Sequence, residues 1–416
     1  MPERPILEGL VCFSSHSLLY RMRFLPLSVP GAMLLLCLLF LLGSCADPPH
    51  YSLVLQNARL FDGHEDRGTV SIGINADTIA AISEEELAGD SLVDASGKYV
   101  IPGLVNAHVH VSRPEQLREG YDLGILYLLN MHTGLEKREA EWKRTSHDAP
   151  GSSVLFGAGH AATVPGGHPT QFSPDMETIS DSLSIATWID HRIEAGVDYI
   201  KIIHTDRGWM GDPPGPSLGY GQIIDAAHAR GYKAVVHATS VEEMREIAPY
   251  RPDGFVHMPD FRDNYPVPET YYATLRESGA FVVTTGGIAL KPLDGAPPFV
   301  AEWVTENLLD AGQRAEIIRG YYDNGIPVVA GTDAQDGQMN FGEDYFLELQ
   351  LYRMAGLPNE AILRAATGNA ARAFDLPVGE VKVGGPATFL VLSADPLEDI
   401  GHLREVAEIW KNGRKK

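Results

Sequence analysis

Apolar and polar residues alternate near both ends of the chain, whereas the middle contains short continuous apolar runs. Three segments between residues 51 and 101 alternate with a period of two and are separated by turn residues, which predicts short strands. Segments between residues 387 and 413 have a similar strand-like pattern. Because these strands flank a long middle region, we expect residues 51–102 and 376–416 to form one small β-sandwich domain together.

The middle region, residues 103–375, alternates the apolar runs with segments of helical periodicity. Continuously apolar strands are buried on both faces, as in a parallel sheet covered by helices. Eight such runs predict an α/β fold of the TIM-barrel type, (β/α)8. A doubly wound open sheet is the alternative, but no GxGxxG turn follows the first strand. The eight predicted strands are GLVNAH, ILYLLN, SVLFGAG, YIKII, KAVVHA, GFVHM, AFVVTT and PVVAGT.

Long loops, several of them rich in glycine and proline, follow four of these predicted strands. In a barrel, the segments after the strands lie at the C-terminal face, where active sites are found. We therefore expect the chemistry of this protein at that face. The four loops are residues 158–174, 204–219, 285–299 and 332–344.

Composition and charge exclude several classes of protein. The chain of 416 residues is 44% hydrophobic and 21% charged, which is typical of a soluble globular enzyme. Its formal net charge of −22, with no basic patch, argues against nucleic-acid binding. All three cysteines lie in the first 45 residues. This excludes a disulfide framework and a thiolate metal site in the body, so a metal would need histidine or carboxylate ligands.

The N-terminal segment is typical of an exported protein. Residues 31–42 form an uncharged apolar run with a basic flank, shorter than the roughly 20 residues that span a bilayer. The sequence LGSC at 42–45 resembles a bacterial lipobox, in which the cysteine is lipidated. The resemblance implies that residues 1–45 are a lipoprotein-type signal peptide ending at a lipidated Cys45, which anchors the protein to the membrane of the bacterial cell envelope. An uncleaved anchor is the alternative, and Met22 is a second candidate for the translation start.

His108 and His110 lie at the end of the first predicted barrel strand. Because side chains alternate along a strand, both imidazoles project from the same side. Two neighbouring nitrogen donors suit a divalent metal ion. An HxH pair alone is weak support, since paired surface or core histidines are common.

Further candidate ligands lie at the ends of later predicted strands. Taken alone, each has an ordinary structural explanation as a core histidine, a snorkelling lysine or a helix-capping aspartate. Strand ends converge on one face of a barrel, however, so residues distant in sequence can meet there. The complete set predicts a metal site made of His108, His110, Lys201, His237, His257 and Asp333.

Several motifs occur together in the chain: PGLVNAHVH at 102–110, Lys201, the two later histidines, GTD at 331–333 and the segment 363–400. In this combination, the chain resembles the amidohydrolase superfamily from about residue 51 to the C-terminus. The resemblance is closest to imidazolonepropionase-like and prolidase-like members. The motifs are specific for the superfamily and not for a substrate.

The resemblance implies a metal-dependent hydrolase with two divalent metals, zinc or alternatively manganese, iron or cobalt. His108, His110 and Asp333 would hold the more buried metal, and His237 and His257 would hold the second. Two such metals activate a shared water molecule and polarise the scissile carbonyl group.

The resemblance further implies that Lys201 is carboxylated and bridges the metals, because a bare ammonium group beside divalent ions is strongly repelled. Asp333 would accept the proton of the water molecule and pass it to the leaving group. Members with one metal use the HxH pair, the strand-five histidine and the aspartate, and they lack the strand-four lysine. Lys201 therefore favours two metals, and a plain salt bridge is its alternative role.

Candidate substrate-binding residues lie in loops after the strands. His168 in the sequence GGHP could point at the substrate, and Arg113 and Arg207 could each hold a substrate carboxylate with two hydrogen bonds. Ordinary surface ion pairs are the alternative for both arginines. Three further histidines lie near strand ends, and no pattern ranks them: His132, His160 and His204.

The leading functional hypothesis is hydrolysis of a small-molecule amide, such as a dipeptide or an N-acyl amino acid. Lactone or ester hydrolysis at the same site and deamination of a cyclic amidine at a one-metal site are the enzymatic alternatives. The non-enzymatic alternative is a catalytically silent binding protein of the envelope. A complete ligand set that includes Asp333 argues against the last, and metal content distinguishes the schemes.

Overall fold

The structure is a computed structural model that describes residues 49–204, 218–294 and 297–416. The proposed signal peptide with Cys45, and the candidate Arg207, lie outside the described residues. Among the residues that the structure describes, none of the helices combines the length and apolar character needed to cross a bilayer.

Strands from both ends of the described chain pair in one sheet of eight strands. Its order is β16-β15-β14-β5-β1-β2-β3, with β4 also paired to β1. The two halves of the chain meet where β5 and β14 pair antiparallel, with Tyr99 opposite Leu392. Among the described strands, those of this sheet pair with one another and not with strands of the middle region. A two-layer β-sandwich is not confirmed. The strands are β1 His50–Phe61, β2 Asp66–Asn75, β3 Thr78–Ser83, β4 Ala88–Asp94, β5 Tyr99–Pro102, β14 Phe389–Leu392, β15 Val406–Lys411 and β16 Arg414–Lys415.

Eight parallel strands occupy the middle of the chain, in a three-stranded and a five-stranded sheet. Each of the eight predicted apolar runs contains one of them, and nearly every residue in these strands is buried. Burial on both faces accounts for the continuous apolar sequence. The strands are β6 Leu104–Val109, β7 Ile125–Asn130 and β8 Val154–Gly157 in one sheet, and β9 Ile200–Ile203, β10 Ala234–His237, β11 Gly254–Val256, β12 Phe281–Val283 and β13 Val328–Val329 in the other.

The two parallel sheets also meet at both edges through isolated parallel bridges. Val109 at the end of β6 bridges Ala334, and Ala162 after β8 bridges Ile202 in β9. The N–H of Ala162 donates to the carbonyl of Lys201 at 2.7 Å. These contacts bring the ends of β6 and β13, and of β8 and β9, next to one another.

Helices cover the parallel strands, and two of them begin with a capping box. Ser240 and Glu243 cap α5 reciprocally, and Asp310 and Gln313 do the same for α8. Each box satisfies backbone N–H groups that the first helical turn leaves free. The α-helices of the described residues are α1 Gln116–Glu119, α2 Glu136–Ser146, α3 Ile185–Glu194, α4 Tyr220–His228, α5 Val241–Ile247, α6 Glu269–Ser278, α7 Pro298–Asn307, α8 Ala311–Asp323, α9 Tyr345–Met354, α10 Asn359–Ala366 and α11 Gly368–Phe374.

Lys411 connects the terminal sheet to the middle of the chain. Its side chain is on β15, and Nζ donates to the carbonyl groups of Ser146 at 2.7 Å, Ala149 at 3.0 Å and Ser152 at 2.7 Å. These carbonyls lie between the end of α2 and the start of β8. Hydrogen bonds from a charged donor are stronger than neutral ones, so Lys411 fixes this junction.

Candidate metal centre

His108, His110 and Asp333 form a three-ligand cluster at the ends of β6 and β13. Asp333 Oδ1 lies 3.2 Å from His108 Nε2 and 3.0 Å from His110 Nε2, and the two Nε2 atoms are 3.3 Å apart. Two ring nitrogens and a carboxylate oxygen that lie this close to one another are the donor set that a divalent metal prefers.

The backbone holds Asp333 against β6. The N–H of Asp333 donates to the carbonyl of His108 at 2.9 Å, and Asp333 has a left-handed φ of 58°. Gly331 permits this approach, since a Cβ atom there would lie 2.5 Å from Val283 Cγ1 and 2.8 Å from the nitrogen of His108. A larger residue at 331 would therefore push β13 away from the histidine pair.

Asn106 and Thr332 join the same two strands by side-chain hydrogen bonds. Asn106 Nδ2 donates to Thr332 Oγ1 at 2.8 Å, and the N–H of Thr332 donates to Asn106 Oδ1 at 3.1 Å. Both side chains are buried, so the pair satisfies polar groups that would otherwise be costly. The position of the three-ligand cluster is thus set by contacts between strands.

His237 and His257 form a second group beside the first. Their ring centroids are 4.3 Å apart, and the ring of His257 lies 4.7 Å from that of His108. His257 has a positive φ of 103°, and its Nδ1 is hydrogen-bonded to Thr285 Oγ1 at 2.9 Å. The structure therefore brings both predicted groups of histidines together.

Lys201 is buried on β9, with 2% of its surface exposed. Burial lowers the pKa of its amine to about 7, against the attraction of the Asp333 carboxylate. Its positive charge in turn lowers the pKa of His108, His237 and His257. The amine therefore lies among the candidate ligands and is neutral to a large extent near pH 7.

Burial lowers the pKa of three of the imidazoles, whereas contacts with histidines lower the pKa of Asp333. Burial lowers the pKa of His108 to about 3 and the pKa of His237 and His257 well below the ordinary value. Burial alone would raise the pKa of Asp333, but attraction to His108 and hydrogen bonds to His108 and His110 hold it well below its usual range. Neutral imidazoles beside an ionised carboxylate are the protonation states that metal ligation requires.

The predicted substrate-binding residues differ in their surroundings. The His168 ring lies 5.7 Å from that of His237, and its Nδ1 is 2.8 Å from Gln171 Nε2. The Arg113 guanidinium is hydrogen-bonded to Asp336 and lies 3.5 Å from Glu119. A substrate carboxylate would have to compete with these acids for Arg113, whereas His168 faces the histidine groups directly.

His132 contacts the site, although no sequence pattern ranked it above the other histidines. His110 Nδ1–H donates to the backbone carbonyl of His132 at 3.3 Å, which holds the orientation of the His110 ring. The His132 ring accepts the N–H of Ala161 at 3.2 Å, and its Nε2 is 3.2 Å from Ser173 Oγ. The position of His132 just after β7 could have indicated its place at the site, since the candidate ligands also lie at or just after strand ends.

A buried carboxylate supports the segment after His110, and no sequence pattern indicated it. Glu139 on α2 accepts Asn130 Nδ2–H at 2.5 Å and the N–H of Gly159 at 2.9 Å. Asn130 Oδ1 accepts the N–H of Val111 at 2.6 Å. Glu139 thus links α2, the end of β7, the start of the loop after β8 and the residue next to His110.

Similarity to known proteins agrees with this geometry. The profile of the amidohydrolase family matches residues 99–416. A Xaa-Pro dipeptidase solved with methionine bound in its active site has a TM-score of 0.72 and 20% identity, covering 88% of this chain and 99% of that chain. Ochratoxinase from A. niger has a TM-score of 0.71 and 17% identity, covering 87% and 95%. At these identities the two structures establish the shared fold.

Parallel strands with a three-ligand cluster at their ends are typical of metal-dependent hydrolases of mixed α/β fold. Within that class, the chain belongs to the amidohydrolase family, as the match over residues 99–416 shows. A local match to allantoinase from Salmonella choleraesuis is 35% identical over 75 residues, which is 18% of this chain and 16% of that protein. The chain thus matches only a small part of the length of that curated relative.

Glu139 should make the stability of the fold depend on pH. Burial raises its pKa from 4.5 to about 7, against hydrogen bonds from Asn130 and Gly159 and the charge of Lys143. Since the folded state holds the proton more tightly, the contribution of Glu139 to stability should fall as pH rises from about 4.5 to about 7, and stay level above. At about 1.4 kcal/mol per pKa unit, the loss is about 3 kcal/mol.

Glu139→Gln removes this ionisation, so the unfolding free energy of the variant should rise relative to that of the wild type between pH 5 and pH 7.5. Denaturant unfolding at several pH values measures the difference. Parallel curves for the two proteins would show that Glu139 does not titrate in this window.

Proposed function

We propose that the protein is a metal-dependent amidohydrolase that cleaves a carbon–nitrogen bond of a small amide. The convergence of His108, His110 and Asp333 at the ends of two strands is the observation that carries this proposal. The family match and the buried histidines beside the cluster support it.

The catalytic scaffold is, in this proposal, a closed (β/α)8 barrel. The order of the strands within the two parallel sheets and the parallel bridges at both edges support closure into one ring. The C-terminal ends of all eight strands would then face one opening, which is where barrel enzymes place their active sites. Residues 51–102 and 376–416 would form the accessory domain beside it.

His108, His110 and Asp333 would hold one divalent ion, and His237, His257 and a carboxylated Lys201 would complete a second site. Zinc suits the nitrogen-rich donor set, with manganese, iron or cobalt as alternatives. When bound, such ions polarise a carbonyl group and make a water molecule acidic near neutral pH.

The residues of the chain itself move the proton. The ionised Asp333 carboxylate accepts a proton from the attacking water and passes it to the leaving amine as the C–N bond breaks. The carbonyl of His132 keeps the His110 ring oriented, and Asn106 and Thr332 keep β13 against β6. His168 would contact the substrate from the loop after β8.

Carboxylation of Lys201 needs a neutral amine, because its nitrogen must attack carbon dioxide. The reaction forms an N–C bond and releases one proton, which converts the side chain to an anionic carbamate. Complete burial and a lowered pKa favour the neutral amine at pH 7.

The substrate class that we propose is a dipeptide or an N-acyl amino acid. Its support is the shared fold with a Xaa-Pro dipeptidase. We also propose that Cys45 is lipidated and that the protein acts at the bacterial cell envelope, which rests on the lipobox-like LGSC sequence at 42–45.

Removal of metal should abolish amide hydrolysis, and added zinc or manganese should restore it. His108→Ala should lose bound metal as well as at least about a hundredfold in kcat, since ligand loss removes the site. The matched control is His147→Ala, since the His147 side chain is 65% exposed, and this variant should keep both its metal and its activity. Metal analysis and dipeptide hydrolysis provide the readouts. Full activity in metal-free protein would refute the proposal, and a metal-free, inactive wild type would favour the silent binding protein.

Lys201→Ala should bind fewer metal ions per chain than the wild type and lose most activity, because it removes the bridging group. A short carboxylic acid added to this variant should restore part of both, whereas Lys201→Arg should not, because its guanidinium stays charged. Lys415→Ala, at an exposed lysine, is the control. Equal metal content and similar rates in wild type and Lys201→Ala would replace the two-metal scheme with the one-metal scheme.

Cys45→Ser should abolish lipid labelling and membrane association when the full chain is expressed in a bacterial host. Radiolabelled fatty acid and membrane fractionation measure the two effects. A variant that still associates with membranes through an intact leader would indicate an uncleaved anchor instead.

A further inference from the structure

Phe172 is a large apolar side chain that the structure leaves open beside the site. Its surface is 73% exposed, the highest value among the large apolar residues exposed in the described part of the chain. It lies in the loop after β8, four residues after His168. Isolated exposed apolar residues are common on protein surfaces, so the surroundings of Phe172 decide what the exposure means.

A continuous row of rings connects Phe172 to the candidate metal ligands. Its ring stands edge-on to His168, with centroids 6.0 Å apart at 88°. The His168 ring lies 5.7 Å from His237, and His237 lies 4.3 Å from His257. The exposed ring therefore stands at the rim of the histidine groups, within reach of a substrate bound there.

Hydrogen bonds on both sides of Phe172 hold it in this position. Its N–H donates to the carbonyl of Pro169 at 2.9 Å, and the neighbouring Gln171 contacts His168 Nδ1 at 2.8 Å. On the other side, Ser173 Oγ is 3.2 Å from His132 Nε2. These contacts fix the backbone that carries Phe172, so that less entropy is lost when a ligand binds against its ring.

The loop after β12 carries further exposed apolar side chains. Ile288 is 38% exposed and lies three residues after Thr285, which is hydrogen-bonded to His257. Leu293 in the same loop is 44% exposed, and Phe299, in the first turn of α7, is 62% exposed. Apolar groups thus occur in loops that follow two of the strands around the histidines.

We infer that Phe172 binds an apolar side chain of the substrate, so that the preferred substrates are amides with an aromatic or branched aliphatic group next to the scissile bond. This inference rests on the proposed amidohydrolase function. The substrate covers the exposed ring when it binds, and the removal of both apolar surfaces from water supplies the preference. His168 then lies between the apolar contact and the metal ligands.

The test compares kcat/KM for Xaa-Pro, Gly-Xaa and N-acetyl-Xaa substrates in which Xaa is phenylalanine, leucine or alanine. The wild type should prefer phenylalanine and leucine in at least one series. Phe172→Ala should lower kcat/KM for these substrates by roughly tenfold, mainly through KM, and change the alanine substrate by a few-fold at most. Phe172→Leu should keep an intermediate preference, and Leu92→Ala, an exposed leucine in β4, should match the wild type.

The outcomes separate this inference from the function on which it rests. If the wild type hydrolyses none of the three series, the proposed function fails and the inference fails with it. If the wild type hydrolyses them and Phe172→Ala lowers the rates for phenylalanine and alanine substrates equally, the role of Phe172 alone is overturned. Metal content should equal that of the wild type in every Phe172 variant. A loss of substrate preference then cannot be explained by a loss of metal.

Discussion

The contact of the Asp333 carboxylate with the His108 and His110 rings is the interaction on which the rest of the site depends. Burial makes an isolated carboxylate costly, and contacts with His108 and His110 offset the cost. The same burial keeps the histidines neutral and lowers the pKa of Lys201. Close packing at Gly331 makes this arrangement possible, because it lets the two strands approach. Charge state and backbone geometry are therefore fixed together.

The strands and the candidate ligands could be predicted from the sequence because each depends on a local pattern. A fully buried parallel strand is continuously apolar, and ligands such as His257 and Asp333 lie directly after such runs. The Glu139 contacts could not be predicted, since an acidic residue on a helix usually faces solvent. The pairing of Arg113 with Asp336 joins residues on different loops, and no local pattern encodes a contact between residues so far apart.

Strands and loops have separate tasks in this molecule. The strands and the residues directly after them carry the candidate metal ligands. The loop after β8 holds His168 and Phe172, and it is fixed to the scaffold through Ser173 and His132.

The pairing of β5 with β14 has a consequence for how the chain reaches its native state. Tyr99 and Leu392 are partners in the sheet, although most of the chain separates them. During synthesis, β5 therefore presents an open hydrogen-bonding edge until residues 389–392 emerge. Open edges attract other strands, so the nascent protein is most prone to aggregation before its last segment is made. Molecular chaperones that bind extended chains would be needed longest for the N-terminal strands, and a product that ends before residue 389 would keep that edge exposed permanently.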